Sequence, residues 1–322
     1  MADFDGDGID DVLTGSWPGQ IYYWRGRKDA LPEKLGTLRG ADGLRVKPGS
    51  ASAVAIHDWD ADGDLDLLVG TKDGEVRFLA NLGRLDAKGR PTFEQPVDLL
   101  FNGKALKPPG GHSGPAVADW DGDGTADLLV GDGRGGITVY HATRLETEAL
   151  PRLGRPRVLV QPLNLREFTP GTRDVADLSL ATSKYTRSCQ RVKPSVTDWN
   201  GDGKLDLVVG DFVVEWGPAP ELDAEQLAAY EQVKEDSKAL SARSRPVYQG
   251  LVADFEAGVT AWEAEHGRKM DEDDYDDAFE AAKRDHEVYA GIKQESRELS
   301  KRRKPFTKAS RRHGWVWVYL AK

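Results

Sequence analysis

The 322-residue sequence predicts an all-β protein, a β-propeller of about four blades with an α-helical insertion in the last one. Three observations carry this. One acidic loop recurs four times, as DFDGDGIDD from Asp3, DWDADGDLD from Asp58, DWDGDGTAD from Asp119 and DWNGDGKLD from Asp198. Each copy is followed by a short apolar run that stops at a glycine, and then by a Gly-led segment of strand character. Three or four short strands per unit is the make-up of a propeller blade.

The loop comes first because it fixes the chemistry. Carboxylates stand at loop positions 1, 5 and 9, Asp or Asn at 3 and Gly at 6, a spacing that wraps oxygens around a hard cation such as Ca2+. An EF-hand would need Glu at position 12, and this chain has Thr14, Val69, Val130 and Val209 there. The expected side-chain ligands are Asp3, Asp5, Asp7 and Asp11; Asp58, Asp60, Asp62 and Asp66; Asp119, Asp121, Asp123 and Asp127; and Asp198, Asn200, Asp202 and Asp206. Backbone carbonyls at position 7 belong to Ile9, Asp64, Thr125 and Lys204, giving about four Ca2+ in all.

Strands flank the loops. Val12-Leu13, Leu67 to Val69, Leu128 to Val130 and Leu207 to Val209 run to Gly15, Gly70, Gly131 and Gly210, as short buried strands do. Ala53 to Ile56, Pro115 to Ala118 and Pro194 to Thr197 supply the strand before three of the loops, so the loop closes a hairpin. A third strand follows as GQIYYWRG from Gly19, GEVRFLAN from Gly74, GITVYHAT from Gly136 and GWVWVYLA from Gly314. A looser fourth is expected near Glu33 to Arg39, Thr92 to Phe101 and Arg157 to Gln161.

Strand, D-x-[DN]-x-D-G-x-x-D loop, strand ending in Gly, then a G-x-[IV] strand resembles the FG-GAP or VCBS repeat of integrin-type and bacterial calcium-binding β-propellers. The resemblance covers about residues 1–217 and 306–322 and implies fold and metal. It does not imply one activity, since that family includes adhesion modules, lectins and propellers attached to lyases.

Loop-to-loop steps of 55, 61 and 79 residues locate the insertions. The extra length before the fourth loop, Leu163 to Val192, is basic, with Arg166, Arg173, Lys184, Arg187 and Arg191 followed by Lys193. The larger insertion, residues 218–305, has helical periodicity. Asp223 with Gln226 is a capping-box start, a second helix is expected after Pro246 and ending near Gly267, and a third from about Asp273 with Tyr275, Phe279, Ala282, His286, Tyr289 and Ile292 as its stripe. Its acidic start and the basic Lys301 to Lys304 at its end complement the helix dipole.

The formal net charge of -10 lies mostly in the loops, and four Ca2+ would bring it to -2, so nucleic acid is an unfavourable partner. No segment is apolar and long enough for membrane insertion, and Cys189 stands alone, which excludes an intrachain disulfide. Only Met1 and Ala2 precede Asp3, so the strand entering the first loop is missing, and a natural start further upstream, with any export signal there, is expected. Weak calcium sites fill outside the cell and not in the cytosol, which favours an exported protein: periplasmic, cell-surface or extracellular.

Catalytic motifs are absent: the histidines lack metal-ligand spacing, and there is neither a nucleophile elbow nor a phosphate loop. The favoured reading is a non-enzymatic binding or scaffold module with a protein or carbohydrate ligand. The alternative is a polysaccharide-active, lyase-like enzyme using His112, His313 and the basic stretch, with calcium neutralising a uronate. Trp59, Trp120 and Trp199 share loop position 2 with Phe4, where blade packing or sugar stacking would both use an aromatic ring.

Overall fold

A computed structural model describes residues 1–162, 190–216 and 220–321. The chain divides into a β unit, which holds the four acidic loops, and a helical unit made mainly of Glu215–Arg311. Within the β unit, four small antiparallel sheets follow one another. The first contains Val12–Gly15, Ile21–Arg25 and Glu33–Thr37, and the second Ala53–His57, Asp66–Gly70, Val76–Leu79 and Val97–Asp98. The third contains Gly114–Ala118, Asp127–Gly131, Ile137–Thr143 and Arg152–Val160. In the fourth, Gln190–Thr197 and Val316–Tyr319 flank Asp206–Trp216. Ahead of the first loop, Ala2 makes a single antiparallel bridge with Asp11.

The registers are equivalent. Leu13 pairs with Tyr23, Leu68 with Phe78, Leu129 with Val139 and Val208 with Val318. Neighbouring residues point to opposite faces of a strand, so each second strand, the one that leaves the acidic loop (Val12–Gly15, Asp66–Gly70, Asp127–Gly131 or Asp206–Trp216), is apolar on both. Three buried clusters result. Ile21 and Tyr23 meet Leu67, Val69 and Leu79; Leu68 and Phe78 meet Leu128, Val130 and Tyr140; Leu129, Ile137 and Val139 meet Leu207 and Val209. Each core thus lies between one sheet and the next. The fourth strand of the second sheet is only Val97–Asp98, because Pro91–Phe93 pairs instead with Arg39–Gly40 and Asn81–Leu85 in a separate small sheet.

The glycine ending each second strand has a steric purpose. A Cβ on Gly15 would lie 2.1 Å from the Ser52 carbonyl oxygen, on Gly70 2.3 Å from that of Ser113, and on Gly131 2.4 Å from that of Val192. On Gly210 it would meet nothing within 4 Å. Gly131→Ala should therefore cost about 2 kcal/mol through overpacking, while Gly210→Ala should change stability by less than about 0.5 kcal/mol. Denaturant unfolding of the two variants checks the contrast.

The helical unit differs from expectation in two places. Helix α1, Ala224–His266, starts at the Asp223–Gln226 capping box, ends at the left-handed Gly267 and runs through Pro246 without a break. Proline removes one backbone donor, and buried Leu240 and Leu251 anchor the helix on both sides of it. The expected third helix is two, α2, Glu272–Asp285, and α3, Glu287–Arg303. His286 separates them with an extended backbone (φ -77, ψ 100), and its side chain caps α3 by accepting from the Tyr289 N–H. Tyr248 and Phe255 of α1 gather Tyr275, Phe279 and Tyr289 into an aromatic seam, and Arg243–Glu295 and Arg302–Asp236 ion pairs tie α1 to α3.

Candidate metal centres

All four loops fold alike because each carboxylate first satisfies its own backbone. At position 1, Asp3 accepts from Gly6 and Gly8 N–H at 2.8 Å each, Asp119 from Gly122 and Gly124, and Asp198 from Gly201 and Gly203. Position 3 accepts from the position 5 amide, and position 5 from the position 7 amide, at 2.7–3.3 Å. The chain turns through positive φ at positions 4 and 6, which glycine tolerates. In the second loop position 4 is Ala61, held at φ 60.

This winding leaves carboxylate oxygens converging. Ligand atoms of Asp3, Asp5 and Asp11, of Asp58, Asp60 and Asp62, and of Asp119, Asp121 and Asp123 lie within 4.8 Å of one another in each group. Burial and the neighbouring carboxylates Asp11 and Asp7 raise the Asp5 pKa, and burial with Asp62 raises that of Asp60. In the second loop Asp58 Oδ1 is buried without a hydrogen-bond partner. Hard, anionic oxygens that repel one another and include an orphaned one fit a divalent cation. Asp7, Asp62, Asp123 and Asp202 occupy position 5; Ile9, Asp64, Thr125 and Lys204 occupy position 7, where each amide donates to the position 5 side chain.

Position 9 does something the spacing did not reveal. Asp11, Asp66, Asp127 and Asp206 have no exposed surface. One oxygen accepts from the position 2 amide, of Phe4, Trp59, Trp120 or Trp199, at 2.9–3.2 Å. The other accepts from an amide near the end of the third strand or just beyond it, of Gly26, Asn81, Ala142 or Ala321, at 2.7–2.8 Å. The carboxylate thus clamps the loop to the third strand. Burial pushes the Asp66 pKa up to about 6.

In two of the sheets the residue just before this third-strand amide also reaches the loop. Arg25 Nε lies 2.9 Å from Asp5, and His141 Nδ1 lies 3.0 Å from both Asp121 and Asp127. Ala80 and Leu320 hold the equivalent positions and offer no polar group. Only an alignment of the third strands would have exposed Arg25 and His141. The position 2 aromatics split: Trp59 is core, whereas Trp199 is 61% exposed.

Residues 163–189 lie outside the described residues, and with them Arg166, Arg173, Lys184, Arg187 and Cys189 of the expected basic stretch. His313 ends the strand Ser310–His313. His112 and Lys193 are in place at the glycine ends of the sheets: Lys193 Nζ donates to the His112 carbonyl at 3.0 Å and to that of Ser113 at 2.6 Å. Burial, reinforced by Arg191, lowers the Lys193 pKa from 10.5 to about 8. The unfolded chain therefore binds more protons between these values, and stability should rise with pH from about 8 to 10.5, by up to roughly 3 kcal/mol. Unfolding at stepped pH should show this rise in the wild type and a flatter profile in Lys193→Met.

A family profile described as FG-GAP-like repeat matches residues 3–69 and 58–130, so the first two hairpin units, each taken with the loop that follows it, are similar to FG-GAP-like repeats. The chain is also 29% identical over 141 residues to cartilage acidic protein 1 of Homo sapiens and of Mus musculus, and 29% identical over 138 residues to that of Xenopus tropicalis. The similarity covers 41% of this chain and 20% of each relative, so the chain spans about one fifth of their length. Among the described residues no helix is long and apolar enough to cross a membrane.

Proposed function

We propose that the β unit is a calcium-stabilised, propeller-type scaffold of an exported protein, non-enzymatic, that presents a binding surface to a protein or carbohydrate ligand. The observation that carries the metal is the convergence of Asp58, Asp60 and Asp62 around a buried, unpartnered carboxylate oxygen, in a loop repeated at Asp3, Asp119 and Asp198. Position 1, 3 and 5 side chains and the position 7 carbonyl would hold each ion, with position 9 completing the shell while clamping the strand. Bound Ca2+ neutralises the clustered carboxylates and ties both ends of the hairpin loop. The loops are not equal. Asp5 is already shared with Arg25, Asp121 with His141, and Asn200 removes one charge from the fourth loop, so the second loop should bind most tightly.

The propeller reading is supported by the side-by-side packing of successive sheets and by the approach of Trp17, from the first sheet, to His112 and Arg191, which lead into the third and fourth. Export is favoured by calcium supply and by relatives named for cartilage, a tissue rich in extracellular matrix. Acidity disfavours nucleic acid as partner. Calorimetric titration of Ca2+ into EDTA-stripped protein tests the metal: about four sites per chain are expected, with Asp58→Ala removing the tightest. A titration with no heat and no bound calcium sinks the reading.

A further inference from the structure

The glycine ends of the sheets, at the far end of each second strand from its acidic loop, carry a different chemistry. Two residues beyond each glycine stand Trp17, Lys72, Gly133 and Phe212, in equivalent places. The chain enters the next sheet through Ala51, His112 and Arg191, all left-handed, with φ of 53, 50 and 52. Backbone bonds lock these junctions: Ala51 N–H donates to the Trp17 carbonyl at 2.9 Å, His112 N–H to the Lys72 carbonyl at 2.8 Å, and Val192 N–H to the Asp132 carbonyl at 3.1 Å. The strained conformation recurs at three junctions and so belongs to the architecture. The side chains mounted on it are individual to each sheet.

Those side chains gather. Trp17 is 59% exposed. Lys72 Nζ lies 5.7 Å from its centroid, Arg191 Cζ 5.8 Å, and the His112 ring 6.3 Å. Arg191 also lies 5.1 Å over Phe212. Four sheets thus contribute to one cluster, which is cationic in a chain of net charge -10. Among the described residues neither Lys72 nor Arg191 has a carboxylate at ion-pair distance. Burial first, and then the positive field of Arg191, Lys193 and Lys72, lowers the His112 pKa, with Asp73 opposing and outweighed.

We propose that this cluster is a binding site for an acidic saccharide, a pyranose bearing a carboxylate or sulfate. An exposed indole flanked by two cations offers the sugar's C–H face a stacking surface and its anionic group a charged clamp, and the planar guanidinium of Arg191 suits an oxyanion bidentately. Neutral His112 adds a donor or acceptor for a hydroxyl. The ring and both cations are positioned by backbone junctions, so the site is built before any ligand arrives.

Isothermal titration of the whole chain in calcium-containing buffer tests this with three probes: a uronate tetrasaccharide, a sulfated tetrasaccharide and a neutral tetrasaccharide. At least one acidic probe should bind, the neutral one should bind at least about tenfold more weakly, and Trp17→Ala and Arg191→Ala should each weaken the acidic probe by about tenfold or more. Arg191→Lys and Trp17→Phe should recover part of the affinity, which distinguishes loss of contact from misfolding. The two acidic probes distinguish carboxylate from sulfate. Absence of binding by both acidic probes, equal binding of the neutral one, or affinity unchanged in both alanine variants would overturn the proposal. None of these outcomes depends on calcium occupancy, which is read separately by the metal titration.

Discussion

Removing calcium with EDTA should lower the melting temperature by roughly 20 °C or more. Each site that binds only the folded chain adds about 2.7 kcal/mol at a hundredfold excess of free ion over Kd, and four independent sites would add about 11 kcal/mol. The stripped protein also keeps its self-repelling carboxylates, whose burial Asp5 and Asp60 register as raised pKa values. Scanning calorimetry with and without EDTA checks this, and re-added Ca2+ should restore the transition where Mg2+ does so less well, because Mg2+ demands a smaller octahedral shell. A melting curve indifferent to chelation would mean that the Asx-turn hydrogen bonds alone hold the loops.

Asp66→Ala should destabilise the β unit by about 4 kcal/mol, close to the cost of breaking a buried charged network. The side chain accepts from the amides of Trp59, Asp60 and Asn81 and has no exposed surface. Truncation strands those donors beside a cavity too small to hydrate them well. Asp66→Asn keeps one acceptor and should cost about half as much. By contrast Asp64→Ala, at a position offering only its carbonyl, should be nearly silent. Denaturant unfolding in excess calcium separates this structural effect from loss of the ion, and equal midpoints for Asp66→Ala and Asp64→Ala would remove the clamp from the account.

The four loops and the strands around them were legible because both are written at short range. Carboxylate spacing sets the turn, and runs such as Leu67 to Val69 between turn residues read directly as strands. The clamp at position 9 was legible as a residue but not as a role, since its second partner, Asn81 for Asp66, is 15 residues away. Arg25 and His141 were hidden for the same reason. The capping box at Asp223 was visible because both partners lie within one turn, whereas Pro246 was misread: a local rule against proline gave way to the packing of Leu240 and Leu251. His286 was read as one more residue on an apolar stripe, but its ring nitrogen competes for the Tyr289 amide and starts a new helix. In the Trp17 cluster, His112 and Arg191 stand out in the sequence, but their meeting with Trp17 and Lys72 does not, because the members come from four separate sheets.

The contact between a second-strand glycine and the carbonyl opening the next sheet is made of main-chain atoms on one side and a missing side chain on the other. The nearest atom at such a joint is a main-chain oxygen, and the side chains of Ala51, His112 and Arg191 are not among its closest contacts. Copies of the unit can therefore diverge freely without losing their fit, so that one junction carries Ala51, another His112 and a third Arg191 on the same backbone. The scaffold separates what must stay the same from what may be varied: glycine and acidic loop repeat for assembly, and the positions beside them are open to acquire new ligands one sheet at a time.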